Sequence, residues 1–241
     1  MNTRAAVVVP AAGEGRRMGG VRKAWLELAG QPILLHALRP FLDHPAVVAV
    51  IVALPPDVAG DPPAWLIGLD SRIRVVAGGE ERGDSVRHAL AAVPDDVDIV
   101  LVHDAARPLV DRATIDRVVD ASMRGVSAVP GVPVADTIKV IDDAGAVAQT
   151  PERARLRAVQ TPQAFPRAAI VDAYRRAAED GVRATDCATL VEQYGGRVVV
   201  VDGSPENFKI TTPEDVRRAE AILAARGRAG ASRERDGEGF A

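Results

Sequence analysis

Apolar positions along this chain follow two patterns in turn. Continuous, largely β-branched runs occupy residues 5–9, 47–54, 73–76, 99–102, 127–130 and 198–201, and between most of them lie segments with helical spacing at 33–42, 85–93, 114–123, 168–179, 187–194 and 214–225. A strand that is apolar at every position is covered on both faces, as in a parallel sheet flanked by helices. The alternation therefore predicts a doubly wound α/β sheet. One stretch breaks the rhythm. Segments around 134–140 and 147–149, separated by Asp142-Asp143-Ala144-Gly145, predict a β-hairpin inserted in the fold. From Arg226 onward the apolar pattern stops, and residues 226–241 are expected to form a disordered tail. This reading gives one domain over 1–225 with an arm at about 134–158. An arm projecting from a compact domain commonly packs on a second subunit, so a homodimer is expected.

Composition narrows the function. At 241 residues, 47% apolar and 26% charged, the chain reads as an ordinary globular domain. A net charge of −3 argues against binding nucleic acid by phosphate neutralisation. No apolar run approaches the length of a membrane span, and the first residues lack a signal-peptide core, so a cytoplasmic location away from membranes is expected. The single cysteine, Cys187, excludes an internal disulfide, and the four histidines show no zinc-type spacing with it. Only three of the 30 basic residues are lysines: Lys23, Lys139 and Lys209. Lysine presents a compact point charge where arginine presents a flat fork. In an arginine-dominated chain, the lysines are candidates for specific roles.

Four loops carry candidate chemistry. After the first strand, Pro10-Ala-Ala-Gly-Glu-Gly-Arg-Arg-Met-Gly-Gly20 leads into Arg22 and Lys23, combining glycines with four cations. Bare backbone and clustered cations suit a polyphosphate. The glycine spacing matches neither the dinucleotide fingerprint nor the P-loop, and a solvated basic loop is the plain alternative. Second, Gly78-Gly-Glu-Glu-Arg-Gly-Asp-Ser85 joins a strand to a helix. Its glycines leave room for a flat base whose edge Ser85 and the acids can bond; alternatively Asp84 or Ser85 caps the helix. Third, Val102-His-Asp-Ala-Ala-Arg-Pro108 puts Asp104 just beyond a buried strand. There a carboxylate can hold Mg²⁺ beside phosphate oxygens, with Arg107 near enough for a second anion; capping the following helix is the alternative. His103 reads as a packed residue. Fourth, Glu206-Asn-Phe-Lys-Ile-Thr-Thr-Pro-Glu-Asp-Val216 predicts a short strand bearing Lys209 and then a helix with Thr212 at N-cap and Pro213 at N1.

Taken in order with Ala135-Asp-Thr-Ile-Lys139 and Thr161-Pro-Gln-Ala-Phe165, these motifs closely resemble the 2-C-methyl-D-erythritol 4-phosphate (MEP) cytidylyltransferase family over about residues 4–225. The resemblance implies a Rossmann-like, GT-A-type nucleotidyltransferase fold, a homodimer built through the β-arm, and transfer of CMP from CTP to MEP with Mg²⁺. Carried over by motif, Arg17, Lys23 and Lys209 match the catalytic cations. Ala11, Ala12 and Gly13 match the nucleotide loop, and Gly79, Glu80 and Ser85 the cytosine contacts. Asp104 matches the carboxylate on the metal and ribose side. Arg107, Thr137, Arg153 and Thr161 match contacts to MEP, with Arg153 (among Arg155 and Arg157) reaching the partner's site. The chain departs from the family in having Arg22-Lys23-Ala24 for the usual Pro-Lys-Gln, and Thr185-Asp186-Cys187-Ala188 for Thr-Asp-Glu-Ala. Two other readings share parts of this pattern. A cytidylyltransferase for another polyol phosphate, such as ribitol 5-phosphate, shares the CTP half, and a non-catalytic nucleotide-binding regulator shares the loops but has no need of Lys23, Asp104 and Lys209 together.

Overall fold

All six apolar runs become strands, and each helically spaced segment falls within a helix or differs from one only at its ends. A computed structural model describes residues 3–13, 22–183 and 186–237. The chain runs β1 (Ala5–Pro10), β2 (Glu27–Leu28), β3 (Gln31–Pro32), α1 (Ile33–Leu42), β4 (Val47–Leu54), α2 (Pro56–Ala59), α3 (Ala64–Ile67) and β5 (Ile73–Ala77). It continues through α4 (Arg82–Leu90), β6 (Ile99–Val102), α5 (Arg112–Met123), β7 (Ser127–Pro133), β8 (Val140–Ile141) and β9 (Val147–Gln149). Then come β10 (Arg157–Val159), β11 (Gln163–Pro166), α6 (Arg167–Asp180), α7 (Cys187–Gln193), β12 (Val198–Asp202) and α8 (Pro213–Gly237).

The main sheet has the order β10-β7-β11-β6-β1-β4-β5, with β12 also paired to β7. Strands β6, β1, β4 and β5 are mutually parallel, as are β7 and β12; β11 runs antiparallel between β6 and β7. Pleating sends alternate residues to opposite faces. From β1, Ala5, Val7 and Val9 join Leu34, Leu38 and Phe41 of α1 and Ile115 and Val118 of α5. Ala6 and Val8 join Val86 of α4, Ile170 of α6 and Leu190 of α7 on the other face. Both faces are therefore buried, which is why these strands lack polar positions. A third cluster, Leu28, Ile33, Leu109, Ile210 and Ala219, seats α8 against the β2–β3 turn.

Strand β1 lies between β4 and β6, so the chain leaves β1 to one side of the sheet and later returns to the other. That reversal opens a crevice at the carboxyl ends of β1 and β6, where α/β sheets bind ligands. Among the described residues, strands β8 and β9 pair only with each other, as an antiparallel hairpin outside the main sheet. The strand pattern expected to start at 134 begins only at Val140. Residues from 226, expected to lack structure, are helical through Gly237; alanine, arginine and glutamate are good helix formers, and Arg226 bonds Glu206 and the Leu109 carbonyl. Among the described residues no helix is long and apolar enough to cross a membrane.

Candidate active site

Five loops meet at the crevice. The first follows β1, where Ala11 N–H extends the ladder by donating to Ala53 O at 2.8 Å. Ala11 is thereby fixed at the strand's end, with Ala12 and then exposed Gly13 following it. Arg17 and the rest of 14–21 lie outside the described residues. Lys23 opens a 3-10 turn, Lys23–Trp25, and its side chain lies outside the description. The turn's flanks are anchored: Arg22 Nη2 bonds Asp57 Oδ2 at 2.6 Å, and Trp25 packs edge-on to Trp65 with ring centroids 5.4 Å apart.

The loop after β5 sits directly against the first. A methyl group on Gly78 would lie 2.4 Å from Ala12 Cβ, so glycine is required there for the two loops to touch. One on Gly79 would lie 2.3 Å from Asp84 Cβ, so glycine is required there for the loop to fold against its own helix start. Ser85 is buried, and its Oγ accepts from Gly79 N–H at 3.1 Å and donates to Glu81 O at 3.2 Å. The hydroxyl thus holds the bend of the loop. The cap is Glu81 rather than the expected Asp84 or Ser85; Asp84 stands at N3 and accepts from Glu81 N–H at 3.3 Å, closing a capping box. Glu80 is exposed beside this bend.

Asp104, two residues beyond β6, is the electrostatic centre. Its Oδ1 accepts from Arg82 Nε at 3.0 Å with Arg82 Nη2 also 3.0 Å away, and its Oδ2 accepts from Lys209 Nζ at 2.8 Å. Arg107 Nε stands 3.9 Å from Oδ2. Burial opposes its ionisation, but Arg82 and then Lys209 outweigh that and hold the carboxyl well below the usual carboxylate range. Asp104 does not cap a helix; Asp111 caps α5 by accepting from Thr114 N–H at 2.6 Å.

The backbone of Asp104 is pinned from behind. Its N–H donates to Thr161 Oγ1 at 3.0 Å, and Thr161 Oγ1 lies 3.1 Å from His103 Nδ1, while His103 Nε2 lies 3.0 Å from Arg107 O. One proton assignment serves all three contacts: Thr161 donates to Nδ1, and a neutral imidazole donates from Nε2. His103 is 0% exposed, and burial pushes its pKa down to about 4, which keeps it neutral. It is a packed residue, as its sequence context suggests.

The last loop brings Lys209 across. Lys209 is not on a strand; its segment has no regular structure and holds to the Asp104 loop through Ile210 N–H donating to Ala106 O at 2.8 Å. Arg107 Nη1 donates to Asn207 O at 2.8 Å, and Asn207 Nδ2 to Thr161 O at 2.8 Å. The following helix starts as expected: Asp215 N–H donates to Thr212 Oγ1 at 3.2 Å, and Asp215 Oδ2 accepts from Thr212 N–H at 2.8 Å.

The structure therefore gathers Asp104, Arg107, Thr161 and Lys209, and sets the Ala12 loop against Gly78 and Gly79. Thr137 and Arg153 are exposed, Arg153 Nη1 donating to Ala135 O at 2.8 Å, and neither enters the bonds around Asp104. Arg82 is the site residue that the sequence pattern did not single out. The signal was present, because a cation at the first position of a helix opposes the helix dipole and calls for a partner. Among the described residues no three His, Cys, Asp or Glu side chains form a metal cage. A lone carboxylate with spare lone pairs fits instead a magnesium ion whose other ligands are phosphate oxygens and water.

Known proteins resemble this chain in both sequence and fold. A family model described as 2-C-methyl-D-erythritol 4-phosphate cytidylyltransferase matches residues 5–225. The enzyme of that name from Streptomyces coelicolor is 50% identical over 235 residues, covering 92% of this chain and 86% of its own. That from Desulforamulus reducens is 43% identical over 223 residues, covering 91% and 95%. The crystal structure of the Thermus thermophilus cytidylyltransferase matches with a TM-score of 0.77 at 37% identity, over 92% of this chain and 98% of that one. The 4-diphosphocytidyl-2C-methyl-D-erythritol synthase of Anaerococcus prevotii gives 0.83 at 28%, over 92% and 97%.

Proposed function

The chain belongs to the 2-C-methyl-D-erythritol 4-phosphate cytidylyltransferase family, and on that footing we propose that it transfers CMP from CTP to MEP. The products are 4-diphosphocytidyl-2-C-methyl-D-erythritol, an isoprenoid precursor, and pyrophosphate. The observation that carries this reading is the convergence of Lys209, Arg82 and Arg107 on Asp104 at the carboxyl edge of the sheet, beside the nucleotide loops.

A non-bridging oxygen of the MEP phosphate attacks the α-phosphorus of CTP. The new oxygen–phosphorus bond forms as the bond to the bridging α–β oxygen breaks, and pyrophosphate leaves with that electron pair. A phosphate monoester, with its second pKa near ~6, is already largely dianionic at neutral pH and needs no general base. The difficulty is electrostatic, since two polyanions must meet while charge grows on the leaving group. Positioned cations meet it. Arg17 and Lys23 serve the triphosphate, and Lys209, half-exposed and bonded among the described residues only to Asp104 Oδ2, moves onto the reacting phosphate.

Ala11, Ala12 and Gly13 line the nucleotide, and the Gly79, Glu80 and Ser85 bend receives cytosine by its backbone groups and edge. Asp104 would hold Mg²⁺, which when bound neutralises phosphate charge. Arg107, with Thr161 behind it, receives the sugar phosphate. Thr137 and Arg153 complete the MEP site from a second subunit, a role that suits their exposure and their distance in bonding terms from Asp104. The hairpin supports that dimer: Ile141 is 62% and Val147 58% exposed, apolar surface that a partner would cover. A cytoplasmic location suits a chain with one cysteine, buried, and a nucleotide substrate.

The test is pyrophosphate release from CTP, run with MEP and ribitol 5-phosphate side by side. Release with MEP alone is expected. Preference for ribitol 5-phosphate would move the chain to another cytidylyltransferase activity, and no release with either would favour a binding protein.

A further inference from the structure

Arg82 begins α4, where the helix's own N–H groups disfavour a cation. Two contacts hold it there. Its Nε and Nη2 reach Asp104 Oδ1, and its Nη1 donates to Cys187 Sγ at 3.6 Å. The Tyr174 hydroxyl lies 3.2 Å from the same sulfur. Cys187 begins α7 and is fully buried, and Tyr174 comes from α6, so three helices converge behind one carboxylate. Neither Cys187 nor Tyr174 has a part in the transfer chemistry. Burial pushes up the pKa of both thiol and phenol, leaving them neutral. Neighbouring acids are engaged elsewhere: Asp186 caps α7 through Thr189 N–H, and Glu81 pairs with Arg183. Asp104 is thus the carboxylate that Arg82 serves.

The carboxylate is divided between two cations of unequal freedom. Arg82 sets two nitrogens against Oδ1 and anchors its third on Cys187 Sγ. Lys209 makes one bond to it, and its side chain is 40% exposed. We propose that Arg82, backed by Cys187 and Tyr174, is a positioning residue that holds Asp104 by Oδ1 so that Lys209 can leave Oδ2 for a substrate phosphate oxygen. This rests on the cytidylyltransferase reading above. Without Arg82, moving Lys209 away would strand a largely buried charge, with Arg107 at 3.9 Å the cation left beside it among the described residues. The penalty would fall on the step that needs Lys209, and so on kcat more than on KM.

The experiment is steady-state kinetics of CTP and MEP turnover on Arg82→Gln, Arg82→Lys, Cys187→Ala and Tyr174→Phe, each with a melting curve. Arg82→Gln is expected to lower kcat by about 10–100-fold, the usual effect of removing a supporting partner, with both KM values within about threefold. Arg82→Lys restores a charged bond to Oδ1 and recovers part of the loss. Cys187→Ala and Tyr174→Phe, which touch only the anchor, cost about two- to tenfold in kcat. In an Asp104→Asn background, Arg82→Gln adds less than about twofold, because Arg82 acts through Asp104. A folded Arg82→Gln enzyme with kcat within twofold of wild type overturns the proposal. So does a large rise in KM for CTP at unchanged kcat, or a fully additive loss in the Asp104→Asn background. If Arg82→Gln does not fold, normal kcat in both Arg82→Lys and Tyr174→Phe overturns it. Wild-type protein that releases no pyrophosphate overturns the cytidylyltransferase reading itself, and this assignment with it.

Discussion

Thr161→Val removes one hydroxyl from the centre of the site and keeps the side chain's shape. Thr161 is only 5% exposed. Its Oγ1 accepts from Asp104 N–H at 3.0 Å and donates to His103 Nδ1 at 3.1 Å. Valine leaves both groups buried without partners, at about 1–3 kcal/mol each, or about 2–5 kcal/mol together. A chain of this size loses roughly 2–4 °C in Tm per kcal/mol, so the midpoint should fall by about 5–15 °C. Thr161→Ser keeps the hydroxyl and loses one methyl group, about 0.8 kcal/mol, and should melt within a few degrees of wild type. Because the hydroxyl fixes the backbone of Asp104, kcat should fall in the valine variant while the serine variant stays near normal. Scanning calorimetry gives the midpoints, and pyrophosphate release under saturating CTP and MEP gives kcat. A valine variant that melts within 2 °C of wild type and shows only a raised KM for MEP would refute the pinning role. It would make Thr161 a plain ligand contact.

Three further outcomes follow from the same geometry. Lys209→Ala should lower kcat by about 10²–10³-fold, as loss of a positioned oxyanion donor does; its half-exposed bond to Asp104 makes little difference to the melting curve, and kcat within threefold of wild type would remove Lys209 from the reaction. His103 titrates near ~6.5 in the unfolded chain and, pushed down by burial, at about 4 in the folded one. Between those values the unfolded chain binds a proton that the folded chain does not. Stability is therefore full above the unfolded pKa and falls as pH drops toward 4, by on the order of 3 kcal/mol. A melting series from neutral to acid pH on wild type and His103→Asn should show the slope flattened in the variant. On the dimer proposed above, Ile141→Asp, on the exposed hairpin, should shift sedimentation from a two-subunit toward a one-subunit species and lower turnover with it. Unchanged sedimentation at the dimer value would move the interface elsewhere, and wild type sedimenting as one subunit would remove the dimer.

Local pattern made much of this protein legible. Double-sided burial writes itself into sequence as unbroken apolar runs, so β1, β4 and β6 are recognisable from residue order alone. The helix start at Thr212 and Pro213, the turn at Asp142–Gly145 and the helix α1 are likewise set by neighbours a few residues away. Asp104 and Lys209 stood out for chemical reasons, one for its place after a buried strand and the other for its rarity. The family motifs then gave them substrates.

Other features depend on contacts that no local pattern encodes. Strand β11 has four residues and lies antiparallel between β6 and β7; its sequence, Gln-Ala-Phe-Pro, has no strand periodicity, and only the two neighbouring edges define it. The short segment around Lys209 resembles a strand but joins no sheet among the described residues; Ile210 N–H donates instead to Ala106 O in the Asp104 loop. Arg82 reads as a surface cation until folding sets it against Asp104, 22 positions away, and Cys187, 105 positions away. Sequence by itself determined which segments are strands and helices and which loops hold charged chemistry, since periodicity and loop composition are local quantities. Only the tertiary structure decided which cations meet Asp104, because electrostatic partnership depends on distances of a few ångströms between residues far apart along the chain.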